Sequence, residues 1–253
     1  MVRRKAKKES FFVPILIGLL IVIGFGFTYK HFENKIEVNQ RTGCPISNVD
    51  QRSALSLLLD SSEPYTPVQM SNIVNRIQNK VNSLKSYDRL RIYTIGVAEE
   101  ELLVPHFDFC KPDPESAESP LMRNWKAGNF EQRLRDTLGL MQGSRDNSHI
   151  ITSIGSVASE LPDSYDERTI IIVSDLVENS NIGSMYSPNW QEALSERNSL
   201  LDARRPMLGG IRIEILFAPR ANAGIDFRRV RDWWMTFLSD SGGMVARIDP
   251  ISG

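Results

Sequence analysis

The sequence predicts an α/β domain with a mainly parallel central sheet flanked by helices, preceded by one N-terminal transmembrane helix. Three observations lead there. A nineteen-residue stretch near the N-terminus, Phe11 to Tyr29, holds no formal charge. Beyond it, short apolar runs alternate with helical periodicities in the order β-α-β-(loop)-α-α-β-α-β-α-β. Two of these runs, 54–59 and 169–173, are nearly continuous in apolar residues, as in strands covered on both faces, whereas 89–95 and 211–217 alternate, as in strands lying further out.

At about 1.5 Å per residue the N-terminal stretch spans roughly 28 Å, close to the ~30 Å of a hydrocarbon core. Pro14 lies near its start, where a missing backbone donor costs little, and Gly18, Gly24 and Gly26 are residues common in membrane helices. The run is longer than a signal-peptide core and ends in Thr28-Tyr29-Lys30-His31, without a small-residue cleavage site. An uncleaved anchor is therefore expected, rather than a cleaved signal or a buried core helix. Residues 1–10 carry Arg3, Arg4, Lys5, Lys7 and Lys8 against Glu9, which places them in the cytoplasm. The soluble part is then expected on the periplasmic or other extracytoplasmic side. Residues 30–49, polar and irregular, read as a stalk, and 50–253 as the domain.

Cys44 and Cys110 both fall in that oxidising compartment, and both sit beside turn-forming Pro or Gly residues rather than inside apolar runs. A bridge between them is favoured over two unconnected buried thiols. Neither cysteine has zinc or CxxC spacing.

Along the domain, 54–59 is a strand ending at Asp60. Thr66 caps a helix with Pro67 at its first position, and Met70, Ile73, Val74, Ile77, Val81 and Leu84 form its buried stripe. Residues 89–95 return as a strand with one solvated side. A long connection follows over 97–128, with seven acidic residues and one Lys between Glu99 and Glu118; it reads either as a docking segment or as a surface loop. Helices are expected near 130–141, 148–161 and 190–204. The strongest strand, 169–173, runs into Ser174-Asp175. A strand at 211–217, a helix capped by Asp226, and a strand at 244–248 complete the chain. Trp233 and Trp234 share helical spacing with Val230 and Phe237, the pattern of a core face. Arg204, Arg205, Arg228, Arg229 and Arg231 read as a solvated face rather than a binding patch.

A net charge of -1 gives no argument for nucleic acid as a partner. His31, His106 and His149 are scattered. No nucleophile elbow, Walker loop, G-x-G-x-x-G or H-E-x-x-H occurs, so neither an enzyme nor a small-molecule cofactor is expected.

The two most central-looking strands both end in an aspartate, Asp60 and Asp175. If they are neighbours, two carboxylates meet where ligands bind open parallel sheets, with Ser61, Ser62, Thr66 and Ser174 nearby. Hard oxygens of this kind suit Mg²⁺. The plainer alternative is that each aspartate caps the turn that follows it.

With these residues the chain resembles the von Willebrand factor type A family, whose first strand ends in D-x-S-x-S. Asp60 and Ser62 match the first two positions of that motif, Ser148 stands where the family has a hydroxyl before a middle helix, and Asp175 matches a later aspartate. Pro64 occupies the third motif position, where the family has Ser, so the site the resemblance implies is degenerate. The resemblance implies Mg²⁺ held by Asp60, Ser62, Ser148 and Asp175, with a partner carboxylate completing its coordination. The expected function is a membrane-tethered protein-interaction module within a membrane-associated complex. A metal-dependent phosphoester hydrolase at the same crevice and a metal-free scaffold subunit are the alternatives.

Overall fold

In the computed structural model, residues 36–47, 53–62, 64–95, 103–113, 120–139, 147–195, 198–219 and 224–251 are described. The predicted anchor at 11–29 and its basic flank lie outside them. Among the described residues no helix is long and apolar enough to cross a membrane. The sheet belongs to the unit Val38–Gly253.

Strand β1 (Ser53–Leu59) pairs in parallel on both sides, with β2 (Arg89–Thr94) and with β4 (Glu167–Ser174). Beyond β4 follow β5 (Ile211–Phe217) and β6 (Met244–Pro250), both parallel, while β3 (Phe107–Cys110) runs antiparallel to β2. The order is β3-β2-β1-β4-β5-β6, so strand order reverses between β1 and β4. The two strands expected at the centre are neighbours there, and the two expected further out flank them.

Helices cover both faces. Leu55, Leu57 and Leu59 of β1 meet Ile73, Ile77 and Val81 of α1 (Pro67–Ser83), with Phe130, Leu134 and Leu138 of α2 (Pro120–Leu138). On the opposite face Leu58, Ile170 and Ile172 meet Ile150, Ile154 and Val157 of α3 (Ile150–Ser159) and Val230, Trp234 and Phe237 of α6 (Phe227–Asp240). Burying each such side chain contributes about 2 kcal/mol, and the alternation of neighbours across the pleat requires a helix layer on each side.

Helix starts follow local chemistry. Thr66 Oγ1 accepts from the Gln69 amide, and Gln69 returns a bond to the Thr66 amide, completing a capping box that the sequence reading left at Thr66 alone. Gln69 Nε2 also donates to Pro219 O, tying the start of α1 to the segment after β5. Asp226 caps α6 through the amides of Arg228 and Arg229, as expected.

The structure corrects three expectations. The span 97–128 is not one irregular connection: it contains β3, and α2 begins at Pro120 rather than near Phe130. A four-residue edge strand is too short to show a period among acidic neighbours. The helix expected over 190–204 is two short ones, α4 (Trp190–Ala193) and α5 (Ser199–Ala203). Asn198 causes the break: its Oδ1 caps α5 while its Nδ2 donates to Ile182 O and Ala193 O. The arginine side of β2 is not simply solvated. Arg89 makes a bidentate pair with Asp108 of β3 at 2.8 Å, and Arg91 donates to Glu160 O. Burial would raise Asp108, but Arg89 and then Arg91 outweigh it and hold the carboxyl below its usual range.

Within the stretch read as a stalk, residues 38–45 form a turn held against β3. Val38 bridges Pro45, and Gly43, at φ +69°, turns the backbone as few other residues can. The Cys110 amide then donates to Thr42 O, and a Cys44–Cys110 disulfide fastens this turn to the free edge of β3. Lys111 donates to Val81 O and Asn82 O, satisfying carbonyls at the end of α1. The bridge joins residues 66 apart, a loop whose closure is worth about 4 kcal/mol in the chain-entropy account.

Candidate functional site

Because β1 and β4 pair with Leu59 opposite Val173, their C-terminal ends deliver Asp60 and Asp175 to one place. The Asp60 amide donates to Val173 O at 2.9 Å, continuing the ladder by one residue, and its carboxylate turns into the protein with 0% exposure. Ser62 N donates to Oδ1 at 2.9 Å. Ser174 Oγ donates to Oδ2 at 2.7 Å, and Ser148 Oγ lies 3.3 Å from the same oxygen. Three separate segments therefore meet on one carboxylate: the loop after β1, the segment leading into α3, and the end of β4. A buried carboxylate without partners would cost several kcal/mol; charge-assisted bonds of this kind offset that cost.

Each segment is locked from its own side. Ser148 and Asn179 exchange backbone bonds at 3.0 Å in both directions. Tyr65 places its hydroxyl 2.6 Å from Asp60 O and 3.2 Å from Val173 O. After β4, Ser174 Oγ accepts from the Leu176 amide and Asp175 Oδ1 from the Val177 amide, two consecutive side-chain turns. Between them Leu176 adopts φ +62°, the left-handed region, at a cost of about 1 kcal/mol for a leucine.

Of the four residues singled out from sequence, Asp60, Ser148 and the Ser62 amide are in direct contact. Asp175 stands next to Ser174, itself bonded to Asp60. The reading of Asp60 and Asp175 as turn caps holds, since each accepts from the amide two residues on.

Sequence reasoning missed Glu178. Fully buried, it accepts from the Ile151 amide at 3.0 Å through Oε2, so a carboxylate from the β4 loop caps α3, whose N-cap His149 makes no side-chain capping bond. The legible signal was a third acid three residues beyond Asp175 in Ser174-Asp175-Leu176-Val177-Glu178, otherwise apolar after the strongest strand.

Among the described residues no three His, Cys, Asp or Glu side chains group so as to hold a metal ion. A cation here would depend on hydroxyl and carboxylate oxygens together. The set Asp60, Ser62, Ser148 and Asp175 is oxygen only, the chemistry Mg²⁺ takes.

Burial pushes the Glu178 carboxyl up to about 7; the Ser180 hydroxyl and the Ile151 and Ile150 amides oppose this, and the Asp60 charge adds to it. The folded state therefore binds a proton there that the unfolded chain, with an ordinary carboxyl, has lost. The resulting stabilisation is fully present below the ordinary carboxyl range and is lost as pH rises through about 7.

No known family model matches the chain, and no curated protein matches it. Solved structures similar to it include an aerotolerance-related membrane protein from Bacteroides fragilis, 11% identical, covering 79% of this chain and 92% of that one, with a TM-score of 0.43. The SpRpn10 VWA domain is 14% identical, covers 79% and 89%, and scores 0.38. The human COPII-coat protein Sec24c is 11% identical, covers 79% and 29%, and scores 0.36. Scores this low do not establish a family; the fold rests on the strand order and register above.

In urea unfolding at pH 5 and pH 8, Glu178→Gln is expected to remove a pH slope. The variant gains roughly 2 kcal/mol on wild type between the two. Parallel slopes would show that Glu178 does not titrate in this range.

Proposed function

We propose that the chain is a membrane-tethered protein-interaction module, a subunit of a membrane-associated complex, whose recognition surface is the loop set around Asp60. One observation carries this reading: three loops converge on a single carboxylate where strand order reverses, the place at which open α/β sheets take ligands. The apolar stretch 11–29 is the proposed tether, with residues 1–10 cytoplasmic and the domain outside.

Within that proposal Asp60, Ser62, Ser148 and Asp175 would hold Mg²⁺, which when bound would supply a positive centre for a partner carboxylate. The chain's own contribution is orientation. Ser174 and the Ser62 amide fix the Asp60 carboxylate, the exchange with Asn179 fixes Ser148, and the turn at Leu176 fixes Asp175. A second reading has its own support: both Asp60 oxygens already accept hydrogen bonds, so the loops also hold together as a metal-free scaffold.

Titrating the full-length chain in detergent with Mn²⁺, followed by the paramagnetic signal of the free ion, separates the two. Saturable binding that Asp175→Asn weakens about tenfold supports the cation reading; no binding by wild type leaves the scaffold. Turnover of a phosphoester by wild type would overturn the non-enzymatic reading. For the tether, a reporter enzyme fused after Gly253 should be active only outside the cytoplasm, and cytoplasmic activity would refute that orientation.

A further inference from the structure

Helix α6 carries two adjacent tryptophans, and the structure gives each indole N–H a backbone carbonyl. Trp233 donates to Leu194 O at 3.2 Å from a half-buried position. Trp234 has 0% exposure and donates to Leu176 O at 2.7 Å. Leu176 is the residue held in the left-handed region between Ser174 and Val177. Its amide bonds Ser174 Oγ at 2.8 Å, and that hydroxyl donates to Asp60 Oδ2 at 2.7 Å. A continuous chain of hydrogen bonds thus runs from the indole of α6 through both ends of one strained leucine to the central carboxylate.

The arrangement asks for such a partner. A leucine at positive φ relaxes unless its surroundings hold it. The Leu176 side chain is fully buried, and its carbonyl would lack this donor if the indole were gone. Relaxation of Leu176 would rotate the two neighbouring peptides, which carry Asp175 on one side and Val177 on the other. The Asp175 turn and the Ser174 bond to Asp60 would both lose their geometry. Stacking of the Trp233 ring on Phe237, with centroids 4.9 Å apart, and edge contacts of Trp234 with both rings keep the indole from swinging away.

We propose that Trp234 is a positioning residue of the crevice: its indole N–H holds Leu176 in the left-handed turn that orients Ser174 toward Asp60 and sets the Asp175 turn beside it. The consequence for ligand binding rests on the reading of the crevice as a cation-dependent recognition site; the consequence for the turn does not.

The test compares Trp234→Phe with Val230→Ala in the full-length chain, the second being a core change on the same helix that leaves the indole N–H and its ring contacts in place. Backbone amide exchange at Leu176 and Val177 is measured against Ile171 and Ile172 in β4, together with Mn²⁺ affinity. In Trp234→Phe the Leu176 and Val177 amides should exchange about a hundredfold faster relative to the β4 amides. Mn²⁺ should bind about tenfold more weakly. Val230→Ala should change all four amides by a common factor. If Trp234→Phe fails to fold, benzothienylalanine at position 234, which keeps the ring volume and lacks the N–H, takes its place with the same expected outcome. Uniform exchange changes in the indole-lacking protein would overturn the proposal. Selective exchange changes in a chain whose wild type binds no Mn²⁺ would uphold Trp234 as the holder of the turn and sink only the cation reading.

Discussion

The Asp60 carboxylate is the interaction on which the upper end of this sheet depends. Its charge is fully removed from water, which is tolerable only because Ser62, Ser174 and Ser148 supply donors from three segments distant in sequence. That requirement fixes more than one side chain. Ser174 must end β4 with its hydroxyl turned toward β1, Ser148 must sit just ahead of the α3 N-cap His149, and the loop after β1 must fold back within two residues. A buried anion that needs donors from three places selects one arrangement of three loops.

Topology makes the convergence possible. In a parallel sheet every strand delivers its C-terminal residue to the same end, and only at the reversal between β1 and β4 do the following chains diverge to opposite faces, leaving a crevice. The other edge constraint lies at the opposite end of the register, where Cys110 pairs with Arg89 at the beginning of β2. There the disulfide and the Thr42–Cys110 backbone bond fasten the turn at 42–44 to β3, the edge strand of the sheet. Crevice and staple occupy opposite ends of the strands, so the loops around Asp60 are built without help from the cross-link.

Much of this was legible in the residues. The continuous apolar runs marked β1 and β4 as central because burial on both faces leaves no room for alternation, and their terminal aspartates pointed to the crevice. Thr66-Pro67 and Asp226 announced two helix starts through capping chemistry alone. What stayed hidden depends on contacts distant in sequence. Strand β3 is only four residues long, and what holds it against β2 is distant in sequence: Arg89 and Arg91 face Asp108, and Cys44 reaches Cys110. Glu178 reads as one more loop acid until the N-terminus of α3, which it caps, is seen beside it. Leu176 gives no sign in sequence of its left-handed backbone, since a glycine or asparagine would be the expected occupant. The double capping role of Asn198, which splits one helix in two, is equally invisible without Ile182 and Ala193 in place.

The central claim is that Asp60 and its donors form one cooperative unit. A double-mutant cycle on unfolding free energy, with Asp60→Asn, Ser174→Ala and the pair, tests it most directly. Each single change should cost roughly 2 kcal/mol, and the pair should cost at least about 1 kcal/mol less than their sum, because the second change removes a bond already lost. Costs that add to within about 0.5 kcal/mol would mean the two residues act independently, and the account of a carboxylate that interlocks three loops would be wrong.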